Sequence, residues 1–278
     1  MKLKFHNFEF DFLKKTYIMG ILNVTPDSFF DGGRYLSFQN AIDHALRMVE
    51  EGADIIDIGG ESTRPGAEPV SIDEELKRVI PIIEALSKKI SIPISIDTYK
   101  AKVAEKAIEA GATIVNDISG LRFDPEMAKV VSRYKVPVVI MHIKGTPRDM
   151  QKNPHYEALI PEIIEYLRNS IVIAKQAGVD ENMIIIDPGI GFGKLPQHNL
   201  QILKNLKEFS KLGKPILIGV SRKSFIGYVL NESSPEKRLE GTASAVAVSV
   251  INGANIVRVH DVGFMAKIVK LADAIKFS

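Results

Sequence analysis

Asp97, Asn116 and Asp187 stand at or near the ends of short apolar runs, and together they supply two carboxylates and an amide. Such a set accepts and donates hydrogen bonds along the edge of a flat heterocycle. An aminopyrimidinone has that edge, with an amino group, a ring N–H and a carbonyl. Each acid alone could instead cap a helix. Asp117 is read that way, and Asp97, which precedes Thr98 and a helical segment, could do the same. The joint placement of the three favours a shared site.

Two further segments could complete that site. In Ser221-Arg222-Lys223-Ser224, Lys223 either donates to a ring carbonyl or is simply solvated, and the helix start behind it offers amides to an anion. Arg258 and His260 alternate around Val259, so strand periodicity puts both on one face. With Asn23 on the neighbouring run, that pair suits a phosphate or pyrophosphate. The segment Asp187–Lys194 is glycine-rich, yet it matches neither the Walker pattern nor G-x-G-x-x-G. It reads as a loop in close approach to a flat ligand, with Phe192 available for stacking. The histidines lack H-E-x-x-H spacing, so a tightly held zinc is not expected. No nucleophile elbow is present.

These residues need a frame that brings distant strand ends together. Eight apolar runs supply one: Ile18–Val24, Ile55–Gly60 (carrying Asp57), Pro93–Thr98, Ile114–Asp117, Val136–His142, Ile184–Gly189, Pro215–Ser221 and Ile256–Asp261. Continuous Val/Ile runs mark parallel strands buried on both faces, and amphipathic segments of helical length lie between them. Eight such units predict an α/β fold, a single (β/α)8 barrel over residues 1–278, with its chemistry at the C-terminal ends of the strands. Phe8, Phe10 and Phe12 alternate with Glu9 and Asp11, so residues 2–13 read as an N-terminal β-hairpin covering the barrel bottom.

Local signals agree. Gly52, Gly111, Gly178 and Gly253 each precede a strand, as left-handed helix caps would. Ser71-Ile72-Asp73-Glu74 reads as a capping box opening a helix. Thr25–Leu36 and Glu61–Val70 are long for strand-to-helix connections. They are candidate lids, or ordinary solvated loops. The small-residue helix Thr242–Gly253 packs either internally or against a second subunit.

Lys and Arg number 36 and Asp and Glu 34, for a net charge of +2. That balance makes no global case for nucleic acid or a membrane surface. With no cysteine, disulfides and thiolate chemistry are excluded. No apolar run is long enough to span a bilayer. The expectation is a soluble cytoplasmic protein.

The motifs taken together resemble one family. Met19–Phe29 followed by Asp31-Gly32-Gly33 resembles the first signature of dihydropteroate synthases, and Asp57–Ala67 resembles the second. Ile96-Asp97-Thr98, Asn116-Asp117, Met141-His142, Asp187-Pro188-Gly189, Ser221–Ser224 and Arg258–Asp261 match the later landmarks in order. The resemblance runs from about Tyr17 to the C-terminus. It implies condensation of a pterin pyrophosphate with para-aminobenzoate. Asp187 and Asn116 would hold the aminopyrimidinone edge, Lys223 the opposite edge, and Asp97 the pyrazine side. Arg258 would stack over the ring between apolar walls from Met141 and Phe192. Asn23, Arg64, Arg258 and His260 would face the pyrophosphate, with Mg2+ near Asn23 and Asp27 contacting the first loop. Phe29, Thr63, Pro65, Ser221 and the Lys223 stem would frame para-aminobenzoate. The resemblance further implies a homodimer. Phe30 departs from the family pattern, which commonly has a small polar residue there. Two other readings use the same barrel: a methyltetrahydrofolate-binding module serving a corrinoid partner, and a noncatalytic pterin-binding paralogue.

Overall fold

The computed structural model describes residues 1–24 and 33–278, with side chains described outside 25–37. Asp27, Phe29 and Phe30 lie outside the described residues. Two antiparallel strands come first, β1 (Lys2–Phe5) and β2 (Phe8–Asp11). Eight parallel strands follow, one for each apolar run. They are β3 (Tyr17–Asn23), β4 (Ile55–Gly59), β5 (Ile94–Asp97), β6 (Ile114–Asp117), β7 (Val138–Met141), β8 (Ile184–Asp187), β9 (Leu217–Ile218) and β10 (Ile256–Val259). Neighbours pair in chain order from β3 to β8, and β10 sits between β3 and β9. A parallel bridge from Ile186 to Ile216 joins β8 to the β9 segment, and Ile186 N–H donates to Pro215 O at 2.9 Å. The ring therefore closes as a (β/α)8 barrel.

The strands are covered on both faces and mostly apolar; every residue of β7 is buried, as is every residue of β8, where Ile184–Ile186 precede the polar end residue Asp187. The covering helices are α1 (Gly33–Glu50), α2 (Ile72–Leu86), α3 (Ala101–Glu109), α4 (Met127–Tyr134), α5 (Leu159–Gln176), α6 (Pro196–Lys204), α7 (Ser224–Leu230), α8 (Leu239–Ile251) and α9 (Val262–Lys276). Ser71 caps α2 by accepting from Glu74 N–H. The helix α1 reaches back to Gly33, into the stretch read from sequence as loop. The four junction glycines have φ of 103°, 119°, 88° and 105° in chain order, as left-handed caps.

The hairpin closes one end of the barrel. Leu3, Phe5, Phe10 and Phe12 pack with Tyr17, Met19, Ile55 and other residues at the N-terminal ends of the strands. Phe10 stacks on Tyr17 with ring centroids 4.4 Å apart. Chemistry is thus confined to the opposite, C-terminal mouth. Replacing Phe10 with Ala should remove about 3–5 kcal/mol of stability, the usual cost of emptying a buried aromatic site. Ligand affinity should stay unchanged, because the mouth lies at the other end. Denaturant melts paired with ligand titration test this; a loss of affinity in the folded variant would contradict the division between ends.

Candidate functional site

Strand register sets the mouth. Asn23 pairs with Gly59, Gly59 with Asp97, and Asp97 with Asn116. Gly59 carries no side chain, and a Cβ there would lie 3.5 Å from Asp97 Cβ. Two residues before it, and so on the same face, is Asp57. It is fully buried at 0% exposure. Asp57 Oδ2 accepts from Asn116 Nδ2 at 3.1 Å and from Arg258 Nε at 2.6 Å. Arg258 also donates from its second terminal nitrogen to Asp97 Oδ2 at 2.6 Å. A guanidinium is therefore clamped between two carboxylates, and an amide is oriented by one of them.

That orientation decides what Asn116 can do. One of its N–H donors is committed to Asp57, which orients the amide and leaves its oxygen available as an acceptor. Among the described residues, Asp57 Oδ1 and Asp97 Oδ1 are buried without a hydrogen-bond partner. Buried acceptors of this kind are costly unless a donor arrives. Burial pushes the Asp97 carboxyl up, with Arg258 opposing and Asp57 adding to the rise. Arg258 is held above its usual range: burial acts against it, but Asp57 and Asp97 outweigh burial. Asp97 does not cap α3; Thr98 Oγ1 accepts from Lys100 N–H, and Asp124 takes the Ala101 N–H. Asp117, read from sequence as a helix cap, is not one: it accepts from Ser119 and Leu121 N–H at 2.8 and 2.9 Å and so holds a loop, and the next helix begins only at Met127.

Asp187 ends β8, paired with Met141 on β7. Its Oδ1 accepts from Gly189 N–H at 2.7 Å, which shapes the turn and leaves Oδ2 for a ligand. Burial raises its carboxyl. The glycines that follow answer to the protein rather than to a ligand: a Cβ on Gly189 would fall 1.9 Å from His142 O. Beneath this loop Lys194 is buried, its Nζ 2.8 Å from His142 Nδ1 and 2.9 Å from Phe192 O. Burial drives both Lys194 and His142 well down from their usual values. Phe192 joins Met141, Ile118, Ile143, Met150 and Tyr99 in a small apolar cluster, so Met141 and Phe192 share one wall.

Lys223 is partly buried rather than solvated, contacting Ile190 O, with its Nζ 4.6 Å from the Phe192 ring centroid. Its position depends on Arg222, a left-handed residue at φ 58°. Arg222 is held by a bidentate pair with Asp261 at 3.0 and 2.5 Å, and by Thr242 and Arg238 on its backbone. Ser221 Oγ accepts from His260 N–H at 3.2 Å and lies 2.9 Å from His260 Nδ1. Burial, then Arg258 and Arg222, lower His260 to about 3, so its ring is neutral.

Asp97, Asn116 and Arg258 are thus bonded into one network through Asp57, Lys223 meets Phe192, and Ser221 meets His260. Asn23, Thr63, Arg64 and Pro65 form no bond to that network. Arg64 is close enough for its charge to depress His260. Sequence reasoning gave no role to Asp57, Lys194 or Arg222. The usable signal was Asp57 itself, a carboxylate inside the run Ile55-Ile56-Asp57-Ile58.

A barrel whose mouth presents this edge is matched by the family model described as pterin binding enzyme, over residues 19–260. A dihydropteroate synthase of Synechocystis sp. is 52% identical over 266 residues, covering 96% of this chain and 92% of its own. A dihydropteroate synthase from Clostridium difficile, solved in the presence of pteroic acid, superposes with a TM-score of 0.92 at 49% identity, covering 97% of this chain and all of its own. The enzyme of Xanthomonas albilineans, solved with 4-aminobenzoic acid, gives 0.90 at 43% identity, covering 96% and 95%. The chain belongs to the pterin-binding enzymes and, within them, to the dihydropteroate synthase family.

Two outcomes follow. Asp187→Asn keeps an acceptor for Gly189 but removes the charge; affinity for a nonreactive pterin should fall about ten- to a hundredfold, the worth of a charged hydrogen bond. Calorimetry giving unchanged affinity would remove Asp187 from the ring edge. Burial lowers Lys223 to about 8, so its ammonium donates below that pH and is lost above it. The affinity gap between the wild type and Lys223→Met should therefore close as pH rises through about 8. A gap independent of pH would show that Lys223 does not donate to the ligand.

Proposed function

We propose that this chain condenses 6-hydroxymethyl-7,8-dihydropterin pyrophosphate with para-aminobenzoate, giving 7,8-dihydropteroate and pyrophosphate. The observation that carries the reading is the Asp57-directed Asn116 amide, set beside Asp97, Asp187 and Lys223 at one barrel mouth. Asn116 and Asp187 take the aminopyrimidinone donors, Lys223 meets the opposite ring edge, and Met141 and Phe192 supply an apolar wall beside the ring. Asp97, next to Arg258, offers negative charge to the pyrazine side.

The reaction breaks the bond between the substrate methylene and its pyrophosphate oxygen. The electron-rich ring spreads the positive charge left on the methylene, and Arg64, Arg258 and neutral His260, with Asn23, hold the departing anion. The para-aminobenzoate nitrogen attacks the methylene and then loses a proton. Its aryl amine is already neutral, so no strong base is required. Thr63, Pro65, Ser221 and the Lys223 stem frame this second substrate, as does Phe29, which lies outside the described residues.

Mg2+ fits the donors at hand. Asn23 offers a hard amide oxygen at the end of β3. Among the described residues no three His, Cys, Asp or Glu form a cage, which suits an ion that keeps waters and substrate phosphate oxygens around few protein ligands. When bound, it would neutralise charge on the leaving group. The methyltetrahydrofolate module would have no use for the Ser62–Gly66 motif, and a noncatalytic paralogue would be expected to lack Asn23, Arg64 or His260. All are present.

Two wider readings belong here. The whole chain 1–278 acts as one pterin-binding domain in the cytoplasm; no described helix is long and apolar enough to cross a membrane, and cysteine is absent. The chain forms a homodimer through α7–α9, where Tyr228, Val229, Val248, Phe264, Leu271 and Ile275 are exposed apolar side chains on three successive helices.

Pyrophosphate release that needs both substrates tests the reaction. Binding order tests the site: pyrophosphate draws Arg64 toward the already fixed Arg258 and His260, so para-aminobenzoate should bind about five- to 150-fold more tightly with pyrophosphate and Mg2+ present. Equal affinity with and without them, by titration, would mean that the second pocket is preformed.

A further inference from the structure

The loop between β4 and α2 carries Thr63, Arg64 and Pro65, but its base is built elsewhere. Glu61 and Val70, at its two ends, are tied together: Glu61 Oε2 accepts from Val70 N–H at 2.9 Å. Lys100 completes the tie from the next strand's loop. Its Nζ donates to Glu61 Oε2 at 2.5 Å, to Val70 O at 2.7 Å and to Glu75 Oε2 at 2.5 Å. All three ammonium protons are used, and the side chains of Lys100, Glu61 and Glu75 are only 12%, 7% and 1% exposed. Tyr99 O–H donates to the other oxygen, Glu61 Oε1, at 2.7 Å. Arg78 fixes the residue before, donating to Gly60 O at 2.9 Å.

Placement gives this cluster more meaning than general cohesion. Tyr99 and Lys100 lie two and three residues beyond Asp97, whose carboxylate faces Arg258 in the ring pocket. The Tyr99 ring packs with the cluster of Met141 and Phe192 that walls that pocket. The same short segment therefore lines the ring pocket and clasps both ends of the loop. Each bond involves an ion out of bulk water, where charged hydrogen bonds count most. We propose that Lys100, acting through Glu61 and Tyr99, is a positioning residue for para-aminobenzoate: it fixes the loop base so that Thr63–Pro65 is set over the mouth, without touching either substrate.

This rests on the reading of Thr63–Pro65 as part of the second-substrate site, and the experiment separates the two. Tyr99→Phe and Glu61→Gln each weaken the clasp while leaving it mostly packed; Lys100→Met opens it, and Lys100→Arg restores a cation. Each variant is measured for thermal stability, for affinity toward a nonreactive pterin, and for KM and kcat with para-aminobenzoate. The expected result is a KM for para-aminobenzoate raised about tenfold in Tyr99→Phe, Glu61→Gln and Lys100→Met, as a charged hydrogen bond is worth. Pterin affinity should stay within about twofold, and Lys100→Arg should recover much of the loss. Thr63→Ala serves as the reference. If it raises that KM while Tyr99→Phe and Glu61→Gln, both folded, do not, the anchoring role is wrong and the site stands. If Thr63→Ala leaves that KM unchanged, the loop is not the second-substrate site and both readings fall. Equal losses of pterin and para-aminobenzoate binding would also overturn the proposal, because the cluster would then support the whole mouth.

Discussion

The mouth of this barrel depends on one buried ion cluster, Arg258 between Asp57 and Asp97. Taking two carboxylates and a guanidinium out of water is expensive, and removing one partner would leave an uncompensated charge. The geometry is therefore tightly constrained. Arg258 cannot swing away without abandoning both acids, and Asp57 cannot turn without releasing Asn116. Among the described residues, Asp57 Oδ1 and Asp97 Oδ1 stay without partners, so the pocket remains receptive to N–H donors. A stability cost of this kind is commonly found where a site must be ready before its ligand arrives.

Around that cluster, several candidate site residues are held in place by neighbouring side chains. Arg222 and Asp261 pin the turn that presents Lys223. Ser221 fixes the His260 ring. Lys194 and His142 fill the space under the glycine loop that carries Phe192. In each case a backbone that a short loop could not hold alone is bonded to an adjacent strand end. A parallel barrel makes this possible, because every strand end has two close neighbours.

The two ends of the barrel divide the labour. Aromatic packing of the hairpin seals the N-terminal end with dispersion and apolar burial. The C-terminal end keeps charged groups partly desolvated, which shifts Asp97 and Lys223 toward their neutral forms. Such shifts cluster where chemistry is done. Burial, with Arg258 and Arg222, likewise lowers His260, so a neutral ring sits beside those two guanidinium groups.

Much of this was legible in the chain. Eight Val/Ile runs, each followed by a helix, admit few arrangements other than a closed parallel barrel, and polar residues at the run ends must then converge. Local signals such as Ser71 and the junction glycines act over a few residues, so they could be read directly. Asp57 could not be assigned from its run alone, because a carboxylate within a strand has meaning only once Arg258, 201 residues away, is brought against it. The same holds for Lys194, whose partner His142 is 52 residues distant, and for Lys100, which joins segments 39 and 25 residues away. The bond between Ser221 and His260 likewise appears only once the barrel closes. Sequence pattern determines which strands form and which residues stand at their ends. Only closure of the ring decides which of those side chains meet, because those pairings cross between strands that hydrophobic periodicity treats as equivalent.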